Sequence, residues 1–229
     1  MLFFHTKHIL IHRENRMKKL SLLLLTCSYL LAQTEEPITV KINENIASVS
    51  TIDSNQNITI KRIQDSDHCL TDDYAKTSRP CPPFCIQPTT VAKDIETVAE
   101  IEVLKFISEK VNTDQGIIVD ARLKSWFELE TIPSALNIPF PIIQNSDKAK
   151  IEKIFKLCGM QVKNDGSWDF THAKEMLVFD NGIWCEQATH FIKGILKFNY
   201  PKEKILYYRS GFQGWQLLGL TTVIHKEIK

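Results

Sequence analysis

Apolar and polar residues alternate between residues 38 and 63 in three runs, ITVKI, IASVSTI and NITIKRI, with the period of half-buried strands. Asp53-Ser54-Asn55-Gln56-Asn57 puts turn formers between the last two, so a small β-hairpin is predicted within 33–64. The periodicity then vanishes. Residues 65–96 read as an irregular linker, and the three prolines of Arg79-Pro80-Cys81-Pro82-Pro83-Phe84-Cys85 forbid a regular helix or a central strand there.

A third pattern fills 97–229. Thr97-Val98-Ala99-Glu100 reads as a capping box, and Val98, Ile101, Leu104, Phe106 and Ile107 make one apolar helical face. Ile117-Ile118-Val119, Met176-Leu177-Val178-Phe179 and Ile205-Leu206-Tyr207-Tyr208 are short apolar runs of the kind that buried strands carry. Helical patterns at 148–158 and 185–197 lie between them, with Gly159 and Pro201 as stop signals and Trp184 and Cys185 at the start of the second. Alternating strands and helices predict an α/β fold, a parallel sheet flanked by helices, with ligand chemistry at the strand-to-helix turns.

The front of the chain has its own signature. Met17-Lys18-Lys19 and the 13-residue apolar run Leu20–Ala32 form an n-region, an h-region and a small residue before a cut ahead of Gln33. A membrane-spanning helix takes about 20 residues, so residues 1–32 are expected to be a cleavable signal and not an anchor. The preceding stretch to Arg16 makes no clean element, which points to Met17 as the true start. Leu24-Leu25-Thr26 before Cys27 is a poor match to a lipidation signal. The expected location is the periplasm or another exported compartment.

With 43% hydrophobic and 24% charged residues, the 229-residue chain can bury one ordinary core, and disorder, collagen and coiled coil are excluded. The formal charge is +1, which offers no basic field to nucleic acid. Without residues 1–32, which hold five basic residues and one acid, the charge becomes −3.

Export gives the cysteines meaning, because Cys69, Cys81, Cys85, Cys158 and Cys185 could then pair. Five is odd, so at least one thiol is left over. Cys69, Cys81 and Cys85 are the disulfide candidates, since a linker with little core gains most from a crosslink. A metal site from His68, Cys69, Cys81 and Cys85 lacks a second knuckle-type pair, and none is predicted. Cys158 falls beside Ile154 and Phe155 on an apolar helical face, and Trp126, Trp168 and Trp215 read as packing residues.

Three ordered segments carry a resemblance: Asp120-Ala121-Arg122 at a strand end, Thr131-Ile132-Pro133-Ser134-Ala135-Leu136-Asn137-Ile138-Pro139, and Arg209-Ser210-Gly211-Phe212-Gln213-Gly214-Trp215 followed by Gly219-Leu220. Together they resemble the rhodanese family over residues 97–224, with Glu130, Thr131, Ser134 and Ser210 departing from its first-choice residues. The loop Asp180-Asn181-Gly182-Ile183-Trp184-Cys185-Glu186-Gln187-Ala188 is similar to the C-N-G-x-W-C-x-Q-S loop of exported rhodanese-like proteins. The resemblance implies a thiosulfate or persulfide sulfurtransferase whose nucleophile is the first cysteine of that loop. Asp180 stands there instead.

In such a loop, amide N–H groups and a helix N-terminus favour a thiolate and an anionic sulfur donor. A carboxylate cannot carry sulfane sulfur, and a fixed charge about 4 Å from an incoming anion opposes it by about 4 kcal/mol at an effective dielectric near 20. Two readings follow. Standard activity is weak or absent in both; in one, Asp180 fills the cradle and the domain is a non-catalytic binding module with structural cysteines and an exposed Trp184. In the other, chemistry moves to Cys185 with a lowered pKa, served by a resolving thiol from Cys81 or Cys85 if the linker folds over the loop.

Glu186 and His190 lie near Cys185, but His190, five positions on, leans toward a different helical face and reads as a surface histidine. Asp120 and Arg122 are expected to pair and order the strand end. The resemblance implies no cofactor, and it implies a small sulfur-containing anion or a thiol-bearing protein as partner.

Overall fold

The computed structural model describes residues 37–144 and 148–226, and the expected signal at 1–32 lies outside the described residues. Residues 39–229 make one compact unit. The predicted hairpin forms from β1 (Ser48–Asp53) and β2 (Gln56–Lys61), paired antiparallel with Asp53 opposite Gln56. Ser54 and Asn55 between them take positive φ values of 47° and 64°, as a tight turn of this hand requires.

The run ITVKI is not a strand. The amides of Thr39 and Val40 donate to the side-chain Oε1 of Gln64 at 2.9 and 3.1 Å, so one side chain takes the place of a partner strand.

The main sheet has five parallel strands in the order β3-β9-β8-β4-β5. They are β3 (Glu96–Val98), β4 (Gly116–Asp120), β5 (Ala135–Asn137), β8 (Glu175–Phe179) and β9 (Ile205–Tyr208). A two-stranded ribbon, β6 (Gln161–Val162) and β7 (Trp168–Asp169), stands apart. The helices are α1 (Glu100–Phe106, continuing as a π-helical turn Ile107–Val111), α2 (Lys124–Leu129), α3 (Phe140–Gln144), α4 (Lys148–Leu157), α5 (Gln187–Leu196) and α6 (Gly211–Leu217). No helix among the described residues is long and apolar enough to cross a membrane.

Both sheet faces are covered, which explains why the central strands read as unbroken apolar runs. Ile117, Val119, Met176, Val178, Ile205 and Tyr207 join one core with Phe155 and Cys158 of the α4 end and with Phe191 and Ile192 of α5. Ile118, Leu177, Phe179 and Tyr208 face the opposite core, with Leu104, Phe106, Phe212 and Trp215. Cys158 and Trp215 are fully buried packing residues.

The capping box falls elsewhere than at Thr97-Glu100. Thr97 and Val98 belong to β3, the helix begins at Glu100, and the Glu102 carboxylate accepts the amide of Ala99 at 3.1 Å. Ile101 is consequently 43% exposed, and Val103 takes its place in the core beside Leu104. The second helix likewise starts at Gln187, two residues after Cys185.

Strand register brings Asp120 level with Phe179, and Phe179 level with Tyr208. The turns that follow β4, β8 and β9 therefore open at one rim of the sheet, the place where α/β folds build sites.

Candidate functional site

The loop from Asp180 to Glu186 joins β8 to α5 and is held from below by α6. The amides of Phe212 and Gln213 donate to the carbonyls of Asp180 and Asn181 at 2.8 and 3.0 Å. That contact needs Gly211, whose φ is +57° and whose missing Cβ would lie 2.5 Å from the Asp180 carbonyl oxygen.

Asp180 is 0% exposed. Its Oδ1 accepts the Gly182 amide at 3.1 Å, and its Oδ2 accepts the Ala188 amide in the first turn of α5 at 2.8 Å. Burial pushes its pKa up to about 7, against the pull of the two amides, which favour the charged form.

Cys185 is 6% exposed. The Asn181 amide nitrogen donates to its sulfur at 3.6 Å. Burial, with the Asp180 charge next, pushes the thiol up to about 12, the reverse of the lowered value expected from its place near a helix start. The helix end is already spent on Asp180.

Around this pair the loop is roofed by the linker, which behaves as a strap. Tyr74 donates its hydroxyl to Asn181 Oδ1 at 2.7 Å and accepts from Arg122 Nη1 at 3.0 Å. The Gln87 amide donates to the Ile183 carbonyl at 2.7 Å, and Arg209 reaches back to the Gln87 carbonyl at 2.6 Å.

Trp184, expected to be exposed, is 8% exposed because the strap covers it. The Arg79 guanidinium stands 3.9 Å from its ring centroid, and Phe84 meets it edge-on at 5.6 Å. Its indole N–H donates to Gln213 Oε1 at 2.7 Å.

Asp120 and Arg122 pair as expected, Nη2 to Oδ2 at 2.6 Å, with both side chains buried. Arg122 also donates to the Glu130 carbonyl at 2.7 Å, and Thr131 donates its hydroxyl to Asp120 at 2.8 Å. Ser134, another departure from the family pattern, has φ +68° and binds the hairpin through the Asp53 carboxylate and the Ile52 carbonyl.

Cys81 and Cys85 are bonded to each other and neither pairs with Cys185, while Cys69 is free and exposed. The linker does fold over the loop, as that reading required. Ile183 and Glu186 are the exposed residues of the loop, Glu186 caps α5 without a side-chain bond, and Gln187 opens the helix. His190 lies half-exposed, 3.4 Å from Glu186 and stacked on Phe140. No group of His, Cys, Asp and Glu suited to a metal ion occurs among the described residues.

Sequence reasoning missed Tyr74, Arg79, Phe84, Gln87 and Gln213. An aperiodic segment carries no register from which such contacts can be read, and only the crowding of Arg, Pro, Cys and aromatic residues at 79–85 marked it.

Residues 102–218, just over half of the chain, match the Rhodanese-like domain family, and the chain belongs to it. Among solved structures it is similar to thiosulfate sulfurtransferase from Pseudomonas aeruginosa, at 16% identity and TM-score 0.38, over 58% of this chain and 21% of that one. It thus spans about a fifth of that relative's length. It is similar as well to the rhodanese-like domain of an Anabaena protein, at 17% identity and TM-score 0.38, over 60% of this chain and 85% of that one. A third similar structure is the As-Sb reductase from Leishmania major, at 13% identity and TM-score 0.35, over 54% of this chain and 79% of that one. No curated protein matches.

Proposed function

We propose that this chain is an exported rhodanese-fold binding module that carries no sulfane sulfur, with Asp180 at the position of the family's persulfide cysteine. One observation carries the reading: the buried Asp180 carboxylate accepts the Gly182 and Ala188 amides, so the anion pocket is filled from within.

Cys185 does not replace the lost nucleophile. A thiolate is the reactive form, and a thiol pushed up to about 12 supplies almost none near neutral pH. A small sulfur anion would also have to displace a carboxylate and meet its charge. The remaining ligand class is a thiol-bearing partner protein that meets the loop face from the strap side.

The test is incubation of the full chain with thiosulfate and cyanide, followed by intact-mass measurement. The expected result is no thiocyanate above that of a Cys185→Ser variant and no added sulfur atom on any cysteine. Turnover that disappears in Cys185→Ser, or a persulfide on Cys185, overturns the reading.

A further inference from the structure

The strap that roofs the loop carries the Cys81–Cys85 disulfide, and the two halves of that bond sit in unlike surroundings. Cys81 is an exposed residue, together with Pro82 and Pro83. Cys85 is half-buried, with its carbonyl held by the Gln87 side chain at 2.9 Å. Between the two cysteines lies Phe84, packed on Trp184, and just before them Arg79 covers the same indole. The crosslink therefore fixes the short piece of chain that seals Trp184, the neighbour in sequence of the buried Cys185.

We propose that the Cys81–Cys85 disulfide is a thiol–disulfide exchange site for a protein dithiol, and that its reduction lifts the strap from the loop and uncovers Trp184 and Cys185. The inference builds on the reading of this loop as a capped binding face and names how the cap is released. A thiolate of the dithiol attacks the sulfur of Cys81, the more exposed residue of the pair, a mixed disulfide forms, and Cys85 leaves as a thiolate that takes up a proton. The second thiolate of the dithiol then attacks the mixed disulfide and releases Cys81, which is protonated in turn. Two electrons pass to the strap, and the dithiol becomes a disulfide.

The loop closed by this bond spans a sequence separation of only 4, so its opening loosens a local segment and leaves the core in place. The other cysteines report on that distinction. Cys69 is exposed in the latched form, and Cys158 is buried in the core far along the chain from the strap.

The experiment uses the full chain, with dithiothreitol as the dithiol and iodoacetamide as the thiol label, near pH ~8.5 where an ordinary thiol is half ionised. Mass spectrometry reads each cysteine. Before reduction, Cys69 should label and Cys185 should not. After reduction, Cys81 and Cys85 should label, Cys185 should label at least about tenfold faster than before, and Cys158 should stay protected. A Cys81→Ser/Cys85→Ser variant should show the fast Cys185 labelling without any reductant.

Cys185 remaining as slow as Cys158 once the disulfide is open overturns the latch. A disulfide that resists dithiothreitol in the folded chain overturns the exchange site, and Cys158 labelling in step with Cys185 shows general unfolding and overturns both. No thiosulfate is present, so these outcomes are independent of whether the domain transfers sulfur.

Discussion

The Tyr74 hydroxyl and the Asn181 side chain, 107 residues apart, meet in one buried hydrogen bond of 2.7 Å. Through the same oxygen Tyr74 takes a proton donor from Arg122, so strap, active loop and strand end share a single phenol. The ring also lies against Trp126, Trp184 and Phe212.

Tyr74→Phe keeps those ring contacts and leaves Asn181 Oδ1 and one Arg122 N–H without their partner. A buried group that loses such a bond, here including one to a charged guanidinium, destabilises by about 2 kcal/mol. Urea unfolding of the variant should show a loss of that size at unchanged m-value. A variant as stable as the parent would mean that solvent already reaches this oxygen.

The Asp180 carboxyl gives a pH signature of definite sign. Its folded pKa of about 7 lies above the ordinary 3.8, so between those values the folded chain binds more protons than the unfolded one. Stability from this group is then fully present below the unfolded value and is lost as pH rises through the folded one, by up to about 4 kcal/mol. Asp180→Asn should remove that slope. Unfolding curves recorded from acid to mildly alkaline pH for both proteins check this, and parallel profiles would contradict it.

Gly211→Ala should be costly for two separable reasons. Any side chain at φ +57° is strained by about 1–2 kcal/mol, and a Cβ here would sit 2.5 Å from the Asp180 carbonyl and 2.7 Å from the Gly182 nitrogen. Gly166 has φ +80° and nothing within 4 Å of its missing Cβ, so Gly166→Ala carries the strain alone. The melting temperature should fall clearly further for Gly211→Ala, and equal losses would argue against the close approach of loop and α6.

The parallel sheet was legible because Ile117–Val119, Met176–Phe179 and Ile205–Tyr208 are buried on both faces and so carry apolar residues without interruption. The site rim was legible from Asp120, Arg122 and the loop at 180–187, whose order along the chain matches a family pattern. The capping box was misplaced by two residues because Thr97 and Glu100 have the right spacing, but Thr97 is drawn into β3 and bonds the Thr89 carbonyl at 2.6 Å. The raised Cys185 pKa has a tertiary cause: burial comes first, and next the charge of Asp180, which itself takes the Ala188 amide at the α5 N-terminus. Nothing local to residues 183–187 reports either fact.

The reach of the strap bears on how the domain can be shortened. A chain begun at Glu102, where the family match begins, would leave behind Tyr74, the Cys81–Cys85 pair and the edge strand β3. Arg122 and Asn181 would then lose their shared oxygen, and Val98 would no longer cover its side of the sheet beside Tyr208. The trimmed version would present to solvent a guanidinium and an indole that the intact protein keeps dry, so it would be a sticky and misleading stand-in for binding measurements.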